Sequence, residues 1–287
     1  MPTFETPEPI SVAIELVLGD ARISASDRRD TSVVVAPTNP AHAADVEAAS
    51  ATRVELTDGR LLVRAPRQWK RFSPFDTGGS VQVRVEVPTG SSIDADSSLG
   101  DLHGEGELGP CRFKTAMGNI RLDRSGAALV KTGYGNIVVD HVVGDLDATT
   151  GSGDVRVGEV EGAATIKNSN GATRLHAATG DVHVKAANGE IVIDRAGASV
   201  TARTANGPVR VGEVARGVVV LETSAGALEC GVAEGTAAWL DVRSQHGQVR
   251  SSLDATDAPS ATEQTVEIRG RTSIGDIVIR RTSEAHP

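Results

Sequence analysis

The chain is poor in the residues that build disulfide frameworks, aromatic binding sites and membrane spans. Its 287 residues include two cysteines, two tryptophans, one tyrosine and four phenylalanines, against 31 glycines. This composition indicates many turns around a thin, aliphatic core. No apolar run reaches the length of about 18 residues that a membrane-spanning helix needs, so we expect no membrane span.

Positive charge is also in the minority, with a formal net charge of −9 and a sequence pI of about 5.3. Proteins that bind nucleic acid usually present a basic face, so this balance disfavours a nucleic-acid partner. Residues 1–9 are polar and contain Glu5 and Glu8, without the basic and apolar segments of a secretory signal. We therefore expect a cytoplasmic protein.

The sequence lacks the spacings that common catalytic and metal-binding motifs require. Cys111 and Cys230 have no neighbouring histidines and occupy apolar positions of an 18-residue repeat, which predicts two buried free thiols and no disulfide. The chain holds neither a Gly-x-Ser-x-Gly elbow nor a His-Glu-x-x-His motif. We expect no catalytic, cofactor-binding or metal-binding residue, and no enzymatic activity.

What the sequence does contain is a short phrase that returns along most of its length. The phrase begins with a glycine, usually continues with Asp, Asn or Glu, and ends in two apolar residues that flank a third residue. Successive lead glycines are 17 or 18 residues apart, and later copies of the phrase begin at Gly226, Gly247 and Gly275. The regular copies begin at Gly100, Gly118, Gly135, Gly153, Gly171, Gly189 and Gly207.

A fixed period of this size is typical of a solenoid, in which each coil covers the apolar face of the next. Apolar residues lie at +2 and +4 from each lead glycine, and a second alternating segment has its inward positions at −7 and −5. Asn-Gly corners such as Asn188-Gly189 would also suit antiparallel hairpins. We favour parallel coils, because equivalent residues then stack about 4.8 Å apart. The prediction is an all-β fold, a right-handed parallel β-solenoid with about 18 residues per coil.

The first 90 residues depart from this period. They predict several strands and one short helix over Ala41–Ala51, with Asn39 as its N-cap. Because the open end of a stacked sheet invites another chain, solenoid ends are usually covered. We expect a β-rich capping segment over residues 1–90, solenoid coils over 91–281 and a frayed tail over 282–287.

The loop from Arg67 to Phe75 concentrates aromatic and basic side chains in a chain that has few aromatics. Two interpretations stay open. The aromatic rings plug the first coil, or the loop contacts a partner or a membrane surface. Its candidate contact residues are Arg67, Trp69, Lys70, Arg71, Phe72 and Phe75.

Two further sets of residues follow the lead glycines. Asp or Asn directly after the glycine either forms a partly acidic ladder, as a polysaccharide-active enzyme would need, or bonds the backbone of its own turn, which we favour. Arginines at the +3 position point outward and form either a solvated face or a docking surface for an acidic partner or anionic polymer. The candidate contact residues in this set are Arg121, Arg156, Arg174 and Arg210.

The phrase Thr-x-x-Gly-[Asp/Asn]-[Ile/Val]-x-[Val/Leu] resembles the bacterial β-strand-repeat family of adhesin-like proteins, also called the Toastrack domain. Residues 6–10 and 167–171 resemble its soluble actinobacterial members in particular. The resemblance covers nearly the whole chain. It implies a right-handed β-solenoid of unknown biochemical role, without catalytic residues, and an involvement of some members in sensing cell-envelope stress through attached membrane segments.

Together, these patterns favour a non-enzymatic scaffold that binds an unidentified protein partner in a bacterial regulatory or envelope-stress-related system. One alternative is an adhesin-like surface-binding module, and another is a β-helix enzyme that acts on polysaccharide. The sequence leaves the oligomeric state open between a monomer and an end-to-end or side-by-side homo-oligomer.

Overall fold

Equivalent residues of successive repeats lie side by side in parallel strands. The computed structural model describes residues 2–66, 78–253 and 264–282. These residues form 26 strands and one helix in two compact units, 1–143 and 144–287. Within the second unit, Thr173 pairs with Ile191, 18 residues later, in parallel register. The predicted parallel β-solenoid, with a helix-containing N-terminal segment, is confirmed.

The first unit combines an irregular part with regular coils of two strands each. The irregular part contains β1 (Thr3–Glu5), β2 (Ser11–Ser26), β3 (Asp30–Pro37), α1 (Ala43–Ala51), β4 (Arg53–Thr57), β5 (Arg60–Arg64) and β6 (Val81–Pro88). The regular coils contain β7 (Ser92–Leu99), β8 (Leu102–Leu108), β9 (Cys111–Met117), β10 (Ile120–Ser125), β11 (Ala128–Tyr134) and β12 (Ile137–Val142).

Each coil gives one strand to each of two sheets, which we call face A and face B. In the first unit, the spatial order is β1-β3-β6-β2-β8-β10-β12 on face A and β4-β5-β2-β7-β9-β11 on face B. Strand β2 contributes to both faces, with residues 11–18 on face B and 19–26 on face A. The pairs β1–β3, β3–β6 and β4–β5 are antiparallel.

The helix lies against β3 and β6 of face A. It begins at Ala43, two residues later than predicted, and its N-cap residue is His42 rather than Asn39. The buried carboxylate of Asp45 accepts the backbone N–H groups of Asn39 and Ser80, both at 2.9 Å. This carboxylate therefore joins the start of the helix to the residue before β6.

The second unit repeats the two-strand coil with little variation. Its strands are β13 (Leu146–Ser152), β14 (Val155–Val160), β15 (Ala164–Asn170), β16 (Thr173–Ala178), β17 (Val182–Asn188), β18 (Ile191–Ala196), β19 (Val200–Asn206), β20 (Val209–Val214), β21 (Gly217–Ala225), β22 (Leu228–Val232), β23 (Thr236–His246), β24 (Val249–Ser251), β25 (Gln264–Ile274) and β26 (Ile277–Arg281). Face A has the order β14-β16-β18-β20-β22-β26-β24, and face B the order β13-β15-β17-β19-β21-β25-β23.

The coils near each chain end are not stacked in sequence order. The coil of Gly275, predicted as the last, lies between the coils of Gly226 and Gly247. The β2 coil likewise lies between β5/β6 and β7/β8. In the second unit this order buries the more apolar coil, since Ile268 and Ile277 are fully buried, whereas Leu240 and Val242 of the outermost coil are only half-buried. Burial of the more apolar coil is favoured by the hydrophobic effect.

The lead glycines lie where successive coils approach most closely. Gly189 has φ +140°, and a Cβ built on it would lie 2.0 Å from the carbonyl oxygen of Gly171. Only glycine combines this backbone conformation with so close an approach. The glycine carbonyls accept hydrogen bonds from buried threonines of the next coil, as in Thr132 to Gly118 at 2.9 Å.

The predicted inward positions form the core. The +2 and +4 residues of the regular coils are nearly all buried, and Phe113 is its largest fully buried side chain. No helix among the residues that the structure describes has the length and apolarity needed to cross a membrane. Most of the predicted frayed tail, from residue 283 onward, lies outside the described residues.

Candidate functional site

The arginines predicted as contact residues lie on the outer side of face A. Arg121 belongs to the first unit. Arg156, Arg174 and Arg210 share one column of the second unit, where Val192 interrupts the series. All four arginine side chains are at least half exposed.

Each of these arginines has a carboxylate close to its guanidinium group. The pairs are Arg121–Asp140 (3.4 Å), Arg156–Asp154 (2.9 Å), Arg174–Glu190 (3.6 Å) and Arg210–Glu229 (2.8 Å). The hydrogen bond that Arg210 donates to Glu229 raises the pKa of Arg210 above its ordinary value. Exposed pairs of this kind contribute only about 0–1 kcal/mol to stability, but they offset the positive charge of the column.

The predicted aromatic and basic loop cannot be placed beside these arginines. Its candidate contacts lie in residues 67–77, outside the described residues. They are Arg67, Trp69, Lys70, Arg71, Phe72 and Phe75. A contact made by this loop stays a prediction.

The Asp and Asn residues after the lead glycines bind the backbone of the next coil, where bonds within their own turn were predicted. Asp101 Oδ1 accepts the backbone N–H of Asn119 at 2.7 Å, and Asn119 Oδ1 accepts that of Asn136 at 2.9 Å. In the second unit, Asp154 Oδ1 accepts the N–H of Ala172 at 3.0 Å. These side chains therefore hold each coil to the next one, about 18 residues further along the chain.

A second column of cations, which the sequence interpretation missed, lies on the outer side of face B in the second unit. Register places each member directly beside the next, so that neighbours are about 4.8 Å apart along the column. A single acid, Glu222, interrupts it. We call its cations the basic ladder; in spatial order they are Lys167, Lys185, Arg203, Arg271 and Arg243.

The basic ladder is only partly neutralised. Arg203 pairs with Glu222 at 3.0 Å. Arg271 donates a hydrogen bond to Asp241, and this bond raises the pKa of Arg271. Lys167, Lys185 and Arg243 have no carboxylate partner among the residues that the structure describes. The ladder therefore keeps a net positive charge, unlike the column on face A.

The row on one side of the basic ladder leaves its charged ends accessible. One neighbouring row carries only small side chains in its middle coils: Ser169, Ala187, Ala205, Ser224 and Ser273. Beyond this row, corner asparagines bond one another, with Asn188 Nδ2 donating to Asn170 Oδ1 at 2.9 Å and Asn206 Nδ2 donating to Asn188 Oδ1 at 2.8 Å. The small row and the rigid corner expose the lysine and arginine ends to a ligand.

A groove of about 290 Å3 lies at the end of the ladder that contains Arg203, Arg271 and Arg243. Glu222 and Gln245 also line it. The groove is therefore polar, with three cations and one carboxylate converging on it.

The sequence did contain a signal for this ladder. Its members lie four residues before a lead glycine, so they recur with the same period as the +3 arginines. In the first unit the equivalent position, four residues before a lead glycine, holds Lys114 and Lys131, and Lys114 is 3.6 Å from Asp96 in the adjacent coil. The side chain at this position therefore points outward in both units, whereas the charge at the position varies between them.

Neither cysteine offers reactive chemistry. Cys111 and Cys230 are free and buried, as predicted, and desolvation raises the pKa of each thiol to about 12. Within residues 2–66, 78–253 and 264–282, no group of three or more His, Cys, Asp or Glu side chains is arranged to hold a metal ion.

Comparison with known proteins gives a family and a set of distantly similar structures. No curated protein matches the sequence. A crystal structure from Parabacteroides merdae named "putative adhesin" is 10% identical, with a TM-score of 0.44 over 98% of this chain and 95% of that one. A "putative lipid binding protein" from Parabacteroides distasonis is 12% identical, with a TM-score of 0.35 over 98% and 96%. Similarities this low do not transfer a function.

The family, in contrast, is shown by the sequence itself. The model of the Toastrack DUF4097 family matches residues 11–280, which include all the strands of both faces except β1 and the last residue of β26. This chain belongs to the Toastrack DUF4097 family.

Proposed function

We propose that the protein is a non-catalytic scaffold that docks an acidic segment of a protein partner on the basic ladder of the second unit. The observation that supports this function is the in-register column of exposed cations, three of which lack a carboxylate partner among the described residues. Cations held on paired strands are already positioned, so a partner's carboxylates bind them with little ordering cost.

The size of the ladder fits a short segment. From Lys167 to Arg243 it crosses five strand-to-strand steps, or about 24 Å at about 4.8 Å per step. An extended peptide of about seven residues spans this distance. The net charge of −9 on the whole chain repels a long polyanion, whereas a short acidic segment contacts only the basic region.

The proposal includes the predicted setting, a regulatory or envelope-stress-related system in the cytoplasm. Cell fractionation of the native host tests the location. Recovery in the culture medium or the cell wall would contradict a cytoplasmic scaffold and favour the adhesin-like alternative.

Affinity purification from the native host tests the docking surface, with two matched variants of the full chain. Lys167→Glu/Lys185→Glu reverses two adjacent cations of the basic ladder, and Arg156→Glu/Arg174→Glu reverses two adjacent cations of face A. Both variants change the net charge equally, and circular dichroism confirms that each is folded.

We expect a protein captured by the wild type to be lost with the face B variant and retained with the face A variant. Its binding should also weaken as salt is raised, because exposed charges are screened. A partner that the Lys167→Glu/Lys185→Glu variant still captures, or that only the face A variant loses, would overturn the assignment to the basic ladder.

A further inference from the structure

Face A of the first unit carries a separate groove of about 320 Å3, formed by β3, β6, β2 and β8. Two rows of outward side chains cross it. One row contains Val34, Arg84, Arg22 and His103, each directly opposite the next on neighbouring strands. Organic ligands usually bind in concave sites of about 300–1,000 Å3, so this groove has room for a small molecule.

Two arginines lie directly opposite each other in this row. Arg22 pairs with Arg84 in the register of β2 and β6, and His103 follows on β8. Like charges in directly opposite positions are destabilising in the absence of a counter-charge. The guanidinium of Arg22 has a carboxylate, Glu105, at 3.4 Å, whereas Arg84 has no ion pair among the described residues.

The acids closest to Arg84 in the strands are engaged elsewhere. Glu86, two residues along β6, accepts from the guanidinium of Arg28 and from Ser32. Asp20, in the other row of the groove, accepts the backbone N–H of Asp101 at 2.9 Å. The exposed guanidinium of Arg84 therefore faces the groove as a donor that the fold itself does not use.

The second row of the groove sets limits on the ligand. It contains Ala36, Gln82, Asp20 and Asp101. The two carboxylates disfavour a second negative charge at that end, while Val34 and Ala36 give one side of the groove an apolar surface. The groove is thus suited to a ligand with its negative charge at one end only.

We propose that this groove binds a small organic molecule that carries one terminal oxyanion, a carboxylate or a phosphate, on an apolar body. The oxyanion bridges Arg84 and Arg22, since the planar guanidinium group matches both anions with paired hydrogen bonds. The apolar body lies against Val34 and Ala36. This site is independent of the basic ladder, because every residue in it belongs to the first unit.

Isothermal titration of the full chain tests the proposal with benzoate and phenyl phosphate, and with acetate and inorganic phosphate as probes that lack the apolar ring. We expect at least one aromatic probe to bind more tightly than its ring-free counterpart. Arg84→Gln should weaken that binding about tenfold or more, as loss of a charge-assisted hydrogen bond does. The matched control, Arg112→Gln, removes an exposed arginine of face B that pairs with Asp94 and should leave the affinity unchanged.

A second variant tests whether a carboxylate placed beside Arg84 competes with the ligand. Val34→Asp places a carboxylate directly opposite Arg84. This carboxylate would pair with Arg84 in place of the ligand's oxyanion. We expect this variant to melt no lower than the wild type and to bind neither aromatic probe. Absence of binding by both aromatic probes to the wild type, equal affinity for probes with and without the ring, or undiminished binding by Arg84→Gln or Val34→Asp would overturn the proposal.

Discussion

Asn168 of β15 lies directly opposite Ala186 of β17, and its side-chain amide bonds to the lead glycines of the preceding coil and of its own coil. The Nδ2 group donates to the carbonyl oxygens of Gly153 at 3.1 Å and of Gly171 at 3.0 Å. Other coils have threonine here, as at Thr223, whose hydroxyl donates to the lead glycine of the coil below. The equivalent donor for the Gly171 carbonyl would come from position 186, but Ala186 has no hydroxyl. Asn168 therefore donates to Gly171 as well.

This relationship predicts a positive coupling between the two positions. Asn168→Thr removes the donor to Gly171, and Ala186→Thr alone crowds the buried Asn168 amide. The double substitution restores the pattern of coils such as those of Thr132 and Thr223, in which one hydroxyl donates to one lead glycine carbonyl. We expect urea unfolding to give a coupling free energy of about 0.5–1.5 kcal/mol in favour of the double variant. Additive effects of the two single changes would contradict the shared role of Asn168.

The lead glycines should tolerate no side chain. Gly189→Ala combines a positive φ with a Cβ only 2.0 Å from a backbone oxygen, so we expect a loss of at least about 3 kcal/mol or failure to fold. Gly59→Ala is the matched control, since its φ is +72° and no atom lies within 4 Å of the added Cβ. The control should lose only about 1–2 kcal/mol. Urea unfolding measures both losses. Similar losses for the two variants would show that the positive φ alone requires glycine, and that the close approach of the coils does not.

Adjacent residues of β14 should differ sharply in their tolerance of substitution. Val155 is fully buried, so Val155→Asp places an unpaired charge in the core and should cost more than about 4 kcal/mol. Arg156 is exposed and pairs with Asp154, so Arg156→Ala should change stability by less than about 0.5 kcal/mol. Thermal melting of both variants tests these assignments, and comparable damage from the two changes would exclude them.

The N-terminal part of the first unit should lose stability in acid through one arginine. The Arg28 guanidinium holds the pKa values of Asp30 and Glu86 below their ordinary range, with Ser32 adding to the effect on Glu86. A lowered pKa in the folded state contributes stability that is complete above the unfolded values, near about 4, and is lost as the pH falls through the folded values.

Arg28→Met should therefore reduce the acid sensitivity of the protein. Between about pH 7 and about pH 3, the urea midpoint of the wild type should fall further than that of the variant. Arg53→Met, which removes an exposed arginine without an ion pair among the described residues, serves as the control and should follow the wild type. Parallel curves for the wild type and Arg28→Met would contradict the assigned linkage.

Both thiols should report on unfolding rather than on a reactive site. Burial raises the pKa of Cys111 and Cys230 to about 12, and the thiolate is the form that reacts. A thiol reagent added to the native protein at neutral pH should label neither cysteine, whereas both should react in guanidinium chloride. Rapid labelling of the native protein would mean that at least one coil opens readily.

The repeat period by itself predicted most of the regular coils. Glycines and alternating aliphatic residues recur every 17 or 18 residues, and this spacing identifies the inward positions because a strand has a side-chain period of two. Both outward columns of cations also recur in the sequence, at +3 and at −4 from the lead glycine, although only the +3 column was predicted. The difference in net charge between the two columns could not be predicted from the sequence. Partners such as Arg210 and Glu229 are 19 residues apart and are brought together by the register of the coils.

The sequence alone thus determined the coil, its core residues and its close glycine contacts, because each follows from local alternation and backbone conformation. The order of the outer coils was decided only by the tertiary structure. Coils that share one pattern pair equally well with several neighbours, so local rules do not distinguish their positions. The positions of the last two coils are distinguished by the burial of Ile268 and Ile277 beneath the less apolar coil of Leu240 and Val242. This burial depends on how all the coils stack rather than on any one segment.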